Sequence, residues 1–269
     1  MHRISLIYRR CMVSAVEAPQ LLTVIGHPVR WDILSQLARS DRRVGELTRL
    51  VGQPQNLVSY HLRELRDAGL VSSRRSSFDG RDSYYRLDLD RCGRLLCDTA
   101  AALHPALRFE PSGGPSPRRR GRAPRILFLC TGNSARSQMA EALAEGRYSP
   151  AIQARSAGSH PKALHPNAVK VMSERGIDIA ANATKYLRRF ERSHFDYVVT
   201  LCDKVREVCP EFPGEPAAIH WSMPDPAAEG STDDETFPAF ERTAEELEVR
   251  IPQLIARVFA SQGGTADDR

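Results

Sequence analysis

The sequence predicts two domains. The first is a winged helix-turn-helix, mostly α-helical with a β-hairpin wing, and the second is a three-layer α/β domain with a four-stranded parallel sheet and a C-x5-R anion loop. Three observations predict this: the charge changes sign between the halves, helices and a hairpin fill the first half, and strands alternate with helices in the second. The expected boundaries are an extension at 1–19, the winged helix at 20–110, a Pro/Gly/Arg linker at 111–124, the α/β domain at 125–262 and a tail at 263–269.

The charge is divided unevenly along the chain. Residues 1–124 contain 21 Arg, no Lys and 12 Asp plus Glu, a formal charge of +9, whereas residues 125–269 sum to −4. A basic, Arg-only half indicates a polyanion such as DNA as partner, while the acidic half is typical of an ordinary soluble enzyme. No apolar run approaches the ~20 residues that cross a bilayer, and the six cysteines lack the dense pairing of secreted mini-proteins. We therefore expect no membrane association and a cytoplasmic location.

The elements of the first domain follow from apolar spacing. Residues 20–39 predict two helices, and shorter helical patterns follow at 43–51 and 54–68. Segment 71–89 contains two short strands joined by an Asp-Gly dipeptide, a favoured hairpin turn. A further helix is expected at 90–103. Helix, turn, helix and hairpin is the order of a winged helix-turn-helix.

Polar side chains on one helix and on the hairpin are the candidate DNA contacts. The face of the 54–68 helix that is not apolar could read base edges in the major groove, and arginines of the wing could hold phosphates. The alternative is a small helical domain with a solvated polar face. The predicted contacts are Gln55, Asn56, Ser59, Tyr60, His61 and Arg63 on the helix, and Arg74, Arg75 and Arg81 on the wing.

The second domain begins with an apolar strand at 126–129, which an amphipathic helix follows. Further strands are expected at 151–158, 195–202 and 217–221, with a last helix at 237–259. Strands that alternate with helices imply a parallel sheet, whose site lies at the carboxyl ends of the strands.

The turn after the first of these strands has the pattern C-x5-R, from Cys130 to Arg136. Successive backbone N–H groups can point into one concavity at the positive end of the following helix, and the guanidinium can bind two oxygens of a tetrahedral anion. The same field favours a thiolate at Cys130, which would act as nucleophile. A buried cysteine and a surface arginine at chance spacing are the alternative. The predicted oxyanion-binding residues are Thr131, Gly132, Asn133, Ser134, Ala135 and Arg136.

The segment CTGNSARSQMAEAL at 130–143 resembles the active-site loop of the low-molecular-weight tyrosine phosphatase superfamily, most closely its thioredoxin-coupled arsenate reductase branch, ArsC. The likeness extends from residue 125 to about 260. It implies that arsenate is reduced to arsenite with thioredoxin as electron donor and without a bound cofactor. It also implies that Asn133 and Ser137 position the loop and stabilise the thiolate, which adds Ser137 to the oxyanion site.

The cysteines distinguish between enzyme types. A phosphatase needs only Cys130, Arg136 and an acid, whereas reduction of As(V) takes two electrons and therefore a second thiol. The resemblance matches Cys202 and Cys209 to the second and third thiols of the ArsC branch, and Asp225 follows the fourth strand as candidate acid. The implied relay passes from Cys130 to Cys202 to Cys209.

One position departs from the ArsC pattern. Some relatives bind potassium through Asn, Glu, Ser and Asp. The first three correspond to Asn133, Glu141 and Ser156, but the fourth position holds Lys185. A lysine ammonium could supply the positive charge there instead of a cation.

The region 21–87 resembles an ArsR-type repressor in three segments, HPVRWDIL, LVSYHLRELRDAGLV and YYRL. The resemblance implies a homodimer, formed through the N-terminal domain, on a two-fold double-stranded DNA operator, with an inducer that lowers DNA affinity. Many arsenic sensors of this family carry a cysteine pair on the helix before the recognition helix, but residues 43–51 contain none.

Cys92 and Cys97 are the remaining candidates for an arsenite or antimony(III) inducer site, with Cys11 as a third thiolate. Five residues along a regular helix are ~140° apart, so the pair shares a face only if Gly93 interrupts the helix or two protomers contribute. Packing of both thiols in a dimer core is the equal alternative.

Together these patterns predict a metalloid-responsive repressor fused to an arsenate reductase. Two alternatives remain for the second half: a low-molecular-weight tyrosine phosphatase and an oxyanion sensor without turnover. Small residues beside Asp225, namely Ala227 and Ala228, favour a small anion over a phenol ring.

Overall fold

The computed structural model describes residues 20–104, 107 and 122–263. The predicted extension, most of the predicted linker and most of the tail lie outside this range, as does Cys11. Two separate clusters of buried apolar residues lie in the described part, one in each half of the chain. The predicted fold class is confirmed. Among the described helices, none combines the length and the hydropathy that a membrane span requires.

The N-terminal domain packs its helices around buried residues at helical spacing, among them Ile33, Leu47, Val58, Leu62 and Leu65. Its hairpin is antiparallel and is extended by a two-residue strand, β1, which is too short to leave a sequence pattern. The elements are α1 (Gln20–Ile25), α2 (Pro28–Leu37), β1 (Arg42–Arg43), α3 (Val44–Val51), α4 (Gln55–Asp67), β2 (Val71–Arg75), β3 (Ser83–Leu87) and α5 (Leu89–Leu103).

The C-terminal domain is built on a parallel sheet with strand order β5-β4-β6-β7. Because β4 and β6 are the central strands, the loops that follow them lie side by side at the carboxyl edge. Two short 3-10 turns, Leu187–Phe190 and Pro226–Ala228, complete the domain. The elements are β4 (Arg125–Cys130), α6 (Arg136–Tyr148), β5 (Gln153–Gly158), α7 (Pro166–Ser173), β6 (Tyr197–Thr200), α8 (Asp203–Glu207), β7 (Ala217–His220) and α9 (Asp233–Gly263).

Polar contacts join the two domains. The side chains of Asp41 and Arg250, both buried, form two hydrogen bonds of 3.2 and 3.0 Å. The Asp41 carboxylate also accepts from the backbone N–H of Ser222 at 2.8 Å. Arg86 pairs with Glu246 at 2.7 Å on the same side of the molecule. Hydrogen bonds and ion pairs, rather than a shared apolar core, therefore hold the domains together.

Candidate functional sites

The loop between β4 and α6, residues 130–136 and here called the anion loop, turns its carbonyl groups outward. Because C=O and N–H point in opposite directions across a trans peptide, the N–H groups of the following residues face the concavity. One of them, the Asn133 N–H, donates to Cys130 Sγ at 3.2 Å. The carbonyls accept from segment 160–165 at 2.9 Å in each case: His160 donates to Thr131, Lys162 to Gly132 and His165 to Ser134.

The Cys130 sulfur lies buried at the base of this concavity. Ser137 Oγ lies 2.9 Å from it, and the amide of Asn133 donates to the same Ser137 oxygen at 2.9 Å. Since the Ser137 oxygen already accepts a hydrogen bond, its own proton is free to point at the sulfur. Such a chain of donors stabilises a thiolate more than a thiol.

Arg136 is the first residue of α6 and is buried. Its Nη1 donates to the carbonyls of Met223 and Pro224, at 3.0 and 3.2 Å, which fixes the plane of the guanidinium. Its Nη2 lies 3.3 Å from the half-exposed carboxylate of Asp225. Its Nε has no partner among the described residues. Because a buried donor without a partner is costly, this atom fits an anion in the loop.

Cys202 lies two residues beyond β6, and its Sγ is 3.3 Å from Thr131 Oγ1 of the anion loop. Burial raises the pKa of the Cys202 thiol, while the Arg136 charge opposes that rise. Cys209 lies beyond α8 and packs against the core of the α/β domain. Burial raises the pKa of Cys209 to about 11. All three of these cysteines are unbridged.

A cavity of about 400 Å³ brings most of the predicted catalytic residues together. Cys130, Arg136, Cys202 and Asp225 line it, as do the small residues Ala227 and Ala228 beside the acid. Cys209 is not among the lining residues. No Phe, Tyr or Trp of the described residues lines this cavity. Its dimensions and chemistry suit a small oxyanion.

Sequence reasoning missed four polar residues that line the same cavity: Ser77, Lys162, His165 and Lys204. The lysines add positive charge to an anion site. The run HPKALHP, directly after β5 at the carboxyl edge of the sheet, was a signal for Lys162 and His165. Ser77 belongs to the wing of the other domain, so no local pattern could have pointed to it.

Lys185 lies among three polar side chains at the anion loop, those of Asn133, Glu141 and Ser156. Its Nζ is 2.7 Å from Glu141 Oε2, and its backbone N–H donates to Asn133 Oδ1 at 2.7 Å. Ser156 Oγ donates to the same Glu141 oxygen. The lysine ammonium thus supplies a positive charge directly behind the anion loop.

The predicted base-reading residues of α4 divide into exposed and buried ones. His61 is only 3% exposed, and its ring lies 4.4 Å from that of His27. The prediction that it contacts DNA is wrong, because position 61 falls on the inward stripe of the helix with Val58 and Leu65. The others lie on the exposed face: Gln55, Asn56, Ser59, Tyr60 and Arg63.

The predicted phosphate contacts of the wing divide in the same way. Arg75 and Arg81 are exposed. Arg74 instead faces the α/β domain, where its Nε donates to the Ser222 carbonyl at 3.0 Å and its Nη2 pairs with Asp203 at 3.2 Å. The prediction for Arg74 is wrong in this arrangement, since neighbouring residues of a strand point to opposite faces.

The predicted inducer pair does not assemble on one helix face. Gly93 does not interrupt α5, which runs unbroken from Leu89 to Leu103. Cys92 packs against the core of the N-terminal domain, and burial raises the pKa of its thiol. Cys97, about 140° further around the helix, cannot share that face. Within the described residues, no group of three or more His, Cys, Asp or Glu side chains could hold a metal ion.

A cysteine nucleophile beneath an oxyanion loop, at the carboxyl edge of a parallel sheet and joined to a winged helix, defines the class: a helix-turn-helix protein that carries a thiol-based oxyanion enzyme. Residues 125–262 match the family model "Low molecular weight phosphotyrosine protein phosphatase". The chain belongs to this family. Residues 27–73 match the model "Bacterial regulatory protein, arsR family", so both predicted resemblances are confirmed.

The relatives match the second half of the chain. The arsenate reductase of Halalkalibacterium halodurans is 39% identical over 138 residues, which are 51% of this chain and 96% of the relative. That of Bacillus subtilis is 39% identical over 129 residues, 48% of this chain and 93% of the relative. Among solved structures, the thioredoxin-dependent arsenate reductase of Corynebacterium glutamicum matches at 30% identity and a TM-score of 0.41, covering 53% of this chain and 65% of that one.

Proposed function

We propose that this chain is an arsenic-responsive transcriptional repressor fused to a thioredoxin-coupled arsenate reductase. One observation carries the reductase proposal: the thiols of Cys130 and Cys202 line one oxyanion cavity, and Cys209 follows just beyond α8. A phosphatase has no use for the second and third thiols, whereas a two-electron reduction does. The relatives named arsenate reductase, which align over nearly their whole length, support the proposal.

In the first step, arsenate lies in the anion loop, with its oxygens held by backbone N–H groups and by Arg136. The Cys130 thiolate attacks arsenic, and one arsenic–oxygen bond breaks. Asp225 gives its proton to the departing oxygen, which leaves as water. The ion pair between Asp225 and Arg136 in the structure would open when the anion takes over the guanidinium.

In the second step, Cys202 attacks the sulfur of Cys130. The sulfur–arsenic bond breaks, and its electron pair stays on arsenic, so As(V) becomes As(III) and arsenite leaves. The two thiols together lose the two electrons that arsenic gains, and a Cys130–Cys202 disulfide remains. The contact between Thr131 Oγ1 and Cys202 Sγ places this sulfur against the anion loop.

In the third step, Cys209 attacks Cys202 and frees Cys130, after which thioredoxin reduces the Cys202–Cys209 disulfide. Five of the six residues between these thiols form α8, which is about 7.5 Å long at about 1.5 Å per residue. Bridged Cα atoms lie within about 7 Å of each other. Because α8 separates the two thiols, it must unwind before the disulfide forms.

The test is arsenate-dependent oxidation of thioredoxin by the wild type and by the Cys202→Ser and Cys209→Ser variants. We expect turnover only in the wild type, with a Cys130–Cys202 disulfide trapped in Cys209→Ser. Hydrolysis of an aryl phosphate, which needs only Cys130, Arg136 and Asp225, should persist in both variants. If the wild type hydrolyses the aryl phosphate but does not reduce arsenate, the protein is a phosphatase. If it binds the anion and shows neither activity, it is an oxyanion sensor.

For the regulatory half, we propose a homodimer on operator DNA that arsenite releases. The exposed polar face of α4 supports base reading, and the exposed Leu96 and Leu103 of α5, at 48% and 80%, support a dimer helix. Footprinting on the DNA upstream of its own gene should show protection that Asn56→Ala abolishes and that the exposed-site control Arg94→Ala does not. Arsenite release that survives replacement of both Cys92 and Cys97 by Ser would exclude these thiols as the inducer site.

A further inference from the structure

Asp203 lies at the junction of the two domains, and its side chain is 1% exposed. From the wing, the backbone N–H and hydroxyl of Ser77 donate to Oδ2 at 2.7 and 3.0 Å, and Arg74 Nη2 at 3.2 Å. From its own domain, Ser222 Oγ donates to Oδ1 at 2.7 Å, and His220 Nε2 lies 3.1 Å from the same oxygen. These groups hold the pKa of the carboxyl far below its usual range, against the opposing effect of burial. The carboxylate therefore stays charged.

The position of Asp203 in the chain connects these contacts to the thiol relay. It follows Cys202 directly and is the first residue of α8, the short helix that separates Cys202 from Cys209. In the relay, α8 must unwind for the two thiols to meet. The three hydrogen bonds from the wing hold the first residue of that helix in place.

We propose that the wing of the DNA-binding domain, through Arg74 and Ser77 on Asp203, is a positioning element that holds α8 folded and opposes the Cys202–Cys209 disulfide. The inference rests on the thiol relay of the proposed function. The coupling between two equilibria is reciprocal. The Cys202–Cys209 disulfide should therefore weaken the attachment of the wing to the α/β domain.

Formation of the Cys202–Cys209 disulfide releases two electrons, which an added disulfide reagent can accept. When Cys202 and Cys209 form a disulfide, oxidised dithiothreitol accepts the two electrons and two protons and becomes reduced dithiothreitol. Arsenate is not needed, so this equilibrium can be measured whether or not the protein reduces arsenate.

The experiment titrates the full-length protein, carrying Cys130→Ser so that this thiol cannot compete, in buffers of reduced and oxidised dithiothreitol. Peptide mass spectrometry gives the fraction of Cys202–Cys209 disulfide. Removing the wing side chains with Arg74→Ala plus Ser77→Ala should shift the equilibrium about tenfold towards the disulfide, because hydrogen bonds to a charged group are lost only in the folded form of α8. The matched control, Ser73→Ala plus Arg94→Ala, removes the same residue types at exposed positions and should titrate like the parent.

Because Ser77 lines the oxyanion cavity, the fold of the same double variant is checked by urea unfolding followed through the buried Trp221 and not by activity. A cooperative unfolding transition together with a shifted disulfide equilibrium supports the positioning role. An equilibrium equal to that of the parent, or an equal shift in the control variant, overturns it. Absence of any Cys202–Cys209 disulfide in the parent protein would instead overturn the relay of the proposed function.

Discussion

At the scale of single residues, the anion loop depends on one hydroxyl. Ser137 Oγ lies 2.9 Å from the Cys130 sulfur and accepts from Asn133, so its own proton is free to point at the nucleophile. Thiolate stability therefore rests on a side chain that never has to touch the substrate's leaving group.

We expect Ser137→Ala to lower aryl phosphate hydrolysis and arsenate reduction by about tenfold each, since loss of one hydrogen bond to a charged group costs about 1.5 kcal/mol. Steady-state kinetics measure both losses. Ser173→Ala, at an exposed position on α7, is the control. Full activity of Ser137→Ala, or an equal loss in the control, would contradict the role.

The third thiol sets a pH dependence of its own. With the pKa of Cys209 at about 11, only roughly one molecule in ten thousand carries this thiolate at pH 7. Because α8 must unwind before the disulfide forms, unwinding exposes Cys209 and returns its pKa towards the ordinary value of about 8.5. The rate at which Cys209 attacks the Cys130–Cys202 disulfide should therefore rise about tenfold per pH unit up to about pH 8 and level off above about pH 9, as rapid-quench mass spectrometry after a single arsenate turnover can measure. A rise that continues to pH 10 would show that Cys209 attacks while α8 is still folded.

At the scale of elements, β5 must approach the anion loop closely. A Cβ at Gly158, the last residue of β5, would lie 2.6 Å from the Thr131 carbonyl oxygen and 2.8 Å from the Asn133 nitrogen. Both are backbone atoms of the anion loop, which cannot rotate aside as a flexible side chain does.

We expect Gly158→Ala to displace the loop and to lower both arsenate reduction and aryl phosphate hydrolysis by at least about tenfold, at a stability cost of about 1–3 kcal/mol. Kinetics and urea unfolding measure the two effects. Gly93→Ala in α5, where a Cβ meets nothing within 4 Å, should keep both activities and gain up to about 1 kcal/mol. Full activity of Gly158→Ala would mean that the loop tolerates displacement.

The sequence was informative wherever the signal is local. The helices, the hairpin, the parallel strands and the C-x5-R loop follow from apolar spacing and turn residues within short windows. α8 was missed because its five residues are too few for a periodic pattern. His61 was misassigned because one residue decides whether a position on α4 faces the core. Arg74 and Ser77 were beyond prediction, since their partner Asp203 lies in the other domain, more than a hundred residues away.

At the scale of the whole molecule, one buried ion pair fastens the domains. Arg250 of α9 and Asp41, just before β1, are each 6% exposed. The Arg250 charge, the Ser222 N–H and their hydrogen bonds offset the cost of burying the Asp41 carboxylate. Removal of one partner leaves the other charge uncompensated.

We expect Arg250→Ala to lower the free energy of unfolding by about 3 kcal/mol, because the buried Asp41 side chain then loses its ionic partner. Urea titration followed through the buried Trp221 measures this loss. Arg242→Ala removes an arginine from the exposed side of the same helix, where it pairs with Glu229, and should change stability by less than about 0.5 kcal/mol. Equal effects of the two substitutions would show that the ion pair does not hold the domains.

The polar seam between the domains has a consequence for how such a protein can arise. Each half has its own buried apolar core and contacts the other through charged groups. Either half on its own would therefore expose a polar face to solvent, not an apolar one. The arsenate reductase of Halalkalibacterium halodurans, of which 96% aligns with the second half alone, occurs in that separate form. A fusion of two such halves therefore needs new contacts only at the seam, where charged side chains pair, and leaves each buried core as it was.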